Sequence, residues 1–103
     1  MSLRFARPIH PGEYLREEYL VPLAISAGVL AKRLDLPRTR IERLIREEVG
    51  VTPDSALRLA RVFDTTPQFW LNLQNAYDLH VTGERLGDVI AKIDPLTHPD
   101  QAA

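Results

Sequence analysis

A chain of 103 residues suits one compact domain, with material for one apolar core and not two. Hydrophobic residues at 45%, charged residues at 26% and a net charge of -1 exclude a wholly disordered chain, and the absence of cysteine excludes disulfides and thiolate metal sites. No apolar run approaches the ~20 residues of a membrane span, and Met1 to Pro11 lacks the apolar stretch of a secretory signal, so a cytoplasmic location is expected.

Residues 1–8 show no period and read as a flexible arm. Pro11-Gly12-Glu13 opens a first helix, with proline at an early position and an acid near the positive end of the dipole. Leu15 and Tyr19 share a face, and Pro22 is expected to stop it. Ser26 is a plausible N-cap for a second helix, in which Ala27, Leu30, Ala31 and Leu34 follow the i, i+3, i+4, i+7 pattern. Asp35-Leu36-Pro37 breaks it. A third helix restarts at about Arg38, with Ile41, Leu44 and Ile45 on one side.

Two later helices share one opening, Thr52-Pro53 and Thr66-Pro67. Threonine supplies a capping oxygen, and proline at the first helical position lacks only an N–H that would be unpaired anyway. The segment from Tyr77 to Val81 either extends the fifth helix or is a short irregular piece. Thr82-Gly83 then leads into Glu84 to Ile93, where Leu86, Val89, Ile90 and Ile93 make an apolar stripe. Asp94-Pro95 ends it, and residues 96–103 read as a frayed tail. No segment alternates at period two between hairpin turns, so little or no sheet is expected. The expectation is an all-α fold of about five helices plus a short C-terminal one, as a single domain over 1–103.

Charge distribution says more than its sum. Lys32, Arg33, Arg38, Arg40, Arg43 and Arg46 crowd one stretch, opposed there only by Asp35 and Glu42. Two short helices joined by a three- or four-residue turn suit the DNA-binding motif whose second helix enters the major groove. On the third helix Thr39, Glu42, Arg43 and Arg46 point away from Ile41 and Leu44, with Arg38 and Arg40 on the flanks. A guanidinium can bond guanine O6 and N7 together. Arg38, Thr39, Arg40 and Arg43 are therefore the candidate groove contacts. Glu42 either accepts from cytosine N4 or holds Arg38 or Arg46 by an i, i+4 pair. Lys32, Arg33 and Arg46 are candidate phosphate contacts, with Ser26 as a hydrogen-bond donor. The bland alternative is a solvated arginine face.

The run Leu30-Ala31-Lys32-Arg33-Leu34-Asp35-Leu36-Pro37, followed by Ile41 and Leu44, resembles the lambda-repressor-like, or Xre, helix-turn-helix. Ile9-His10-Pro11-Gly12-Glu13-Tyr14-Leu15, Ala56-Leu57-Arg58-Leu59-Ala60, and Phe63 through Gln74 resemble the HigA/VapI antitoxins. The resemblance covers about residues 8 to 80, and Phe69-Trp70-Leu71-Asn72-Leu73-Gln74 is its most distinctive part. It implies an all-helical antitoxin that binds a RelE-like ribonuclease toxin of the HigB type and, as a homodimer, represses their shared operon on double-stranded operator DNA. Two positions depart from the pattern. Ala27 stands where many Xre domains place glutamine, and Pro37 where a serine or threonine cap is usual. The rival readings are a stand-alone Xre regulator and a protein-interaction module with an inactive helix-turn-helix.

Other residues carry two readings each. Trp70 fills the core or anchors a dimer or toxin interface. The Leu86, Val89, Ile90 and Ile93 stripe packs on the domain or pairs with a second subunit. Glu13, Glu17 and Glu18 meet the basic surface of a ribonuclease toxin or serve the helix dipole. His10, His80 and His98 are too scattered for metal ligation, and His10 reads as a cap or support for the first helix. No phosphate loop, nucleophile-base pair or carboxylate pair points to an enzyme, and no cofactor is expected.

Overall fold

The computed structural model describes residues 7–97; most of the expected arm and of the expected tail, His98 included, lies outside the described residues. Five helices follow one another, and no strand occurs among the described residues. The first, α1, is one continuous rod in three parts: α-helical Pro11–Leu15, a π-helical turn Arg16–Leu20, and α-helical Val21–Leu23. His10 caps it, its Nδ1 accepting the Gly12 N–H at 2.9 Å. Pro22 does not end the rod; it sits in the last turn, and Ala24 ends it in the left-handed region at φ 55°. A proline ring clashes with the carbonyl four residues back and offers no N–H. The wider π turn just before it, where Val21 donates to Arg16 O, makes room for that ring.

Next comes α2, Ala27–Leu34, with Ser26 Oγ accepting the Val29 N–H at 3.1 Å. Asp35 enters the left-handed region at φ 58°, and the Leu36 N–H returns to Ala31 O at 2.9 Å. That closure satisfies the last carbonyls of α2 and turns the chain. Pro37 then starts α3, Arg38–Ile45, with no side-chain cap. The fourth and fifth helices, α4 (Pro53–Phe63) and α5 (Pro67–Ala91), begin on the capping oxygens of Thr52 and Thr66.

The stretch from Tyr77 to Ile93 resolves in one direction. As far as Ala91 it extends the fifth helix, so the fifth and the expected short C-terminal helix are a single element of 25 residues, with Lys92 as its cap and Ile93 just beyond it. Gly83 costs a helix about 1 kcal/mol against alanine, too little to break it without a proline or a cap.

The core is made by Leu15 and Leu20 of α1, Leu30 and Leu34 of α2, Ile41 and Leu44 of α3, Leu59 of α4 and Trp70 of α5. Trp70 has no exposed surface, and its indole N–H donates to Thr65 Oγ1 at 2.8 Å. Tyr19 and Phe63 stack beside it with centroids 4.0 Å apart, and Tyr14 stands edge-on to it at 5.9 Å. The dimer-anchor reading of Trp70 is therefore corrected: its ring is spent inside the protomer. One contact sets where α3 lies. A Cβ on Gly12 would fall 1.8 Å from Leu44 O, so the α1 and α3 backbones meet at a distance only glycine permits.

Candidate nucleic-acid interface

With Ile41 and Leu44 buried against the core, the opposite side of α3 faces solvent. Arg38, Thr39, Arg43 and Arg46 are exposed there, while Arg40 and Glu42 are half-buried. The Glu42 carboxylate lies 3.3 Å from Arg38 Nε, an i, i+4 pair. Arg43 has a loose partner in Glu48 at 3.6 Å. Both pairs keep an exposed arginine and are of small energy, so an incoming phosphate or base edge competes with them readily.

Arg40 is held differently. Its Nη2 donates to Thr52 Oγ1 at 3.0 Å and to Ser55 Oγ at 2.8 Å, and Asp54 lies 3.8 Å from Nη1. The guanidinium thus ties α3 to the start of α4. Thr39, Arg40, Arg43, Gly50 and Thr52 line a cleft of about 320 Å³ between α3 and the loop that follows it. Two arginines and the N-terminal end of α4 make that cleft suited to an anion.

Ser26, Lys32 and Arg33 are exposed on α2 and its cap. Behind them Arg58 holds the motif together. Its Nη1 donates to Leu34 O and, at 3.3 Å, to Asp35 O, and its Nε to Asp54. The Arg58 hydrogen bond keeps the Asp54 carboxyl below the usual range. On the far side Arg16 donates to Ile45 O and lies 3.6 Å from Glu47, closing the C-terminal end of α3. These framework residues, with Thr52, Ser55 and Gln74, were not assigned to the site from sequence, although Thr52 was read as a helix cap and Arg58 and Gln74 stand in the family-resembling runs. Their signal was faint: hydroxyls at caps and an arginine inside an amphipathic helix.

The other candidates scatter. Glu13 is half-buried and 3.7 Å from Arg7; Glu17 pairs with Arg16 at 2.9 Å; Glu18 is exposed. Leu86 is half-buried, and Val89, Ile90 and Ile93 are exposed at 58%, 53% and 62%. His10 is buried, and its burial pushes the imidazole below its usual 6.5. His80 lies 3.6 Å from Glu84. No cluster of three metal-binding side chains occurs among the described residues. No helix among them is long and apolar enough to cross a membrane.

A short capped helix, a tight turn and an arginine-bearing helix braced from below define a lambda-repressor-like helix-turn-helix protein. No protein-family model matches the chain. Individual proteins do. Virulence-associated protein I of Dichelobacter nodosus is 56% identical over 71 residues, which span 69% of this chain and 66% of that protein. Antitoxin HigA-1 of Vibrio cholerae is 37% identical over 90 residues, 87% of this chain and 85% of the relative. Among solved structures, Pseudomonas aeruginosa antitoxin HigA with the higBA promoter superposes with a TM-score of 0.84 at 44% identity, covering 87% of this chain and 99% of that one. Antitoxin GraA in complex with its operator matches with a TM-score of 0.84 at 45% identity, over 89% and 94%. The chain belongs to the HigA family of helix-turn-helix antitoxins.

Proposed function

We propose that this protein is an antitoxin that represses its own operon by placing α3 in the major groove of operator DNA. The observation that carries the reading is the two-sidedness of α3: Ile41 and Leu44 locked in the core, Arg38, Thr39, Arg43 and Arg46 exposed on the outer face. Arg43, near the middle of that face, reads a guanine edge; Arg38 and Thr39 extend the contact toward the N-terminal end. Lys32, Arg33 and Arg46 neutralise phosphates, and Ser26 donates to one from the start of α2. Arg40 serves the complex from the cleft beside Thr52. The relatives support this reading, since the HigA and GraA antitoxins were solved on their promoter and operator. The work is binding, not catalysis, and needs no cofactor.

The unit that binds is a homodimer, with half-site centres roughly 34–36 Å apart. Its second surface is the far part of α5. Leu79 and Leu86 lie seven residues apart, with Gly83 between them and Ile90 after, the spacing of a helix-pairing seam, and Ile93 keeps that spacing just beyond the helix end. Most of this seam is uncovered among the described residues: Leu79 is 75% exposed, and a Cβ on Gly83 would meet open space. The protein partner is a RelE-like ribonuclease toxin of the HigB type, met by the acidic outer face of α1 at Glu17 and Glu18, with Glu13 behind them. Opposed fields favour that approach. The site of action is the cytoplasm.

The test is a gel shift on the DNA upstream of the protein's own gene, with and without the product of the adjacent gene. Specific retardation, altered by that product, is the expected result. Specific retardation with no ribonuclease-like gene alongside makes the protein a stand-alone regulator. No retardation makes it an interaction module.

A further inference from the structure

The loop after α3, residues 46–52, is fastened at two neighbouring positions by two different helices. At Thr52 the hydroxyl accepts from Arg40 of α3 at 3.0 Å. At Val51, one residue earlier, the backbone N–H donates to Gln74 Oε1 of α5 at 2.6 Å. The same amide's Nε2 donates to Asp78 Oδ1 at 3.0 Å, so the Gln74 side chain is held from both ends. Gly50 makes the approach possible: a Cβ there would stand 2.7 Å from Gln74 Oε1. Val51 itself is buried, and a buried N–H without a partner is costly. The Gln74 bond therefore fixes the level at which the loop leaves α3 and delivers Thr52 to the guanidinium of Arg40.

We propose that Gln74 is a positioning residue for operator recognition, acting from α5 through Val51 and Thr52 on Arg40 and the cleft beside α3. The proposal rests on the DNA-binding reading and deepens it. Gln74 touches no nucleic acid in this scheme. It sets the geometry of groups that do, so it governs discrimination between sequences more than attraction to phosphate. Because Gln74 lies on the helix that also carries the apolar seam, the same bond links the register of α5 to the recognition surface.

Four variants test this: Gln74→Leu, Gln74→Glu, Asp78→Asn, and the pair Gln74→Glu with Asp78→Asn. Leucine keeps the bulk and loses both bonds. Glutamate alone still accepts from Val51 but sets a carboxylate against Asp78. In the pair the donor and acceptor are exchanged, with asparagine donating to glutamate. Asp78→Asn alone keeps an acceptor for Gln74 and serves as the control. The readouts are affinity for the upstream DNA and for a scrambled duplex across a salt series, with amide exchange at Val51 in the free protein. Gln74→Leu is expected to lose about five- to tenfold in the ratio of specific to scrambled binding. Its salt dependence stays unchanged, and Val51 exchanges faster. Gln74→Glu falls in the same direction, and the pair returns to within about threefold of the original ratio. The proposal is overturned if Gln74→Leu keeps both the ratio and the Val51 protection. It is equally overturned if specific and scrambled binding fall together with thermal stability, or if the pair recovers nothing. Should the unaltered protein fail to distinguish the two duplexes, the DNA-binding reading fails instead, and Val51 exchange still judges the Gln74 contact.

Discussion

Arg40 and Arg43 differ by three positions and by what surrounds them. Both are arginines on one helix, yet Arg40 is engaged by Thr52 and Ser55 while Arg43, among the described residues, has only Glu48 at 3.6 Å. Their alanine variants should behave differently. Arg43→Ala should weaken operator binding by about 1–3 kcal/mol and relax the preference at one base pair, with Tm unchanged. Arg40→Ala should weaken binding and also lower Tm, because two hydroxyls lose their donor. Competition shifts against single-base operator variants, alongside thermal melts, separate the two. His10 allows a second prediction at this scale. Its buried, neutral Nδ1 caps α1, and burial lowers its pKa; Glu47, Asp78 and Glu13 pull the other way with smaller effect. A depressed folded value means the unfolded chain binds the proton first. The cap's contribution is thus full above about pH 6.5 and declines as the pH falls toward the folded value. Tm should drop between pH 7.5 and 5.5, and His10→Asn, which keeps an acceptor without the titration, should flatten that drop.

At the scale of elements, the position of α3 is set by α1. Gly12 lies against Leu44 O, and Arg16 reaches Ile45 O at the end of the same helix. Gly12→Ala puts a methyl where a carbonyl stands. Overpacking of this kind costs about 1–3 kcal/mol, and a fall in Tm of roughly 5–15 °C is expected. Operator affinity should fall further than stability explains, because the displaced backbone is that of the recognition helix. Melting curves and operator titrations on one preparation check both parts. The helix starts were legible from residues alone, since Ser26, Thr52 and Thr66 each cap with their own oxygen. The end of α1 was not. Pro22 reads as a stop, yet the π turn before it absorbs the ring, and that turn is set by packing of Leu15 and Leu20 into the core.

Over the whole molecule, the extents of 58 × 28 × 24 Å reflect one projecting element. Helix α5 runs about 37 Å at 1.5 Å per residue, and its far half carries apolar residues, Leu79, Val89 and Ile90, that stay more than half exposed among the described residues. A helix of this kind calls for a partner surface. Leu86→Glu with Ile90→Glu should convert a dimer to a monomer in sedimentation, leaving far-UV helix content nearly intact. Operator affinity should drop by more than tenfold as the second half-site is lost. A monomer-sized wild type, or a variant that stays dimeric, contradicts the seam.

Local chemistry alone determined the helix starts, the Asp35 turn, the apolar side of α3 and the arginines opposite it, because each depends on residues within one or two turns of each other. Tertiary packing decided the rest. It drew Arg40 inward, closed the core over Trp70 and carried α5 unbroken past Gly83. It also brought Gln74 to a backbone amide 23 residues away, since partners that far apart meet only when the chain has folded.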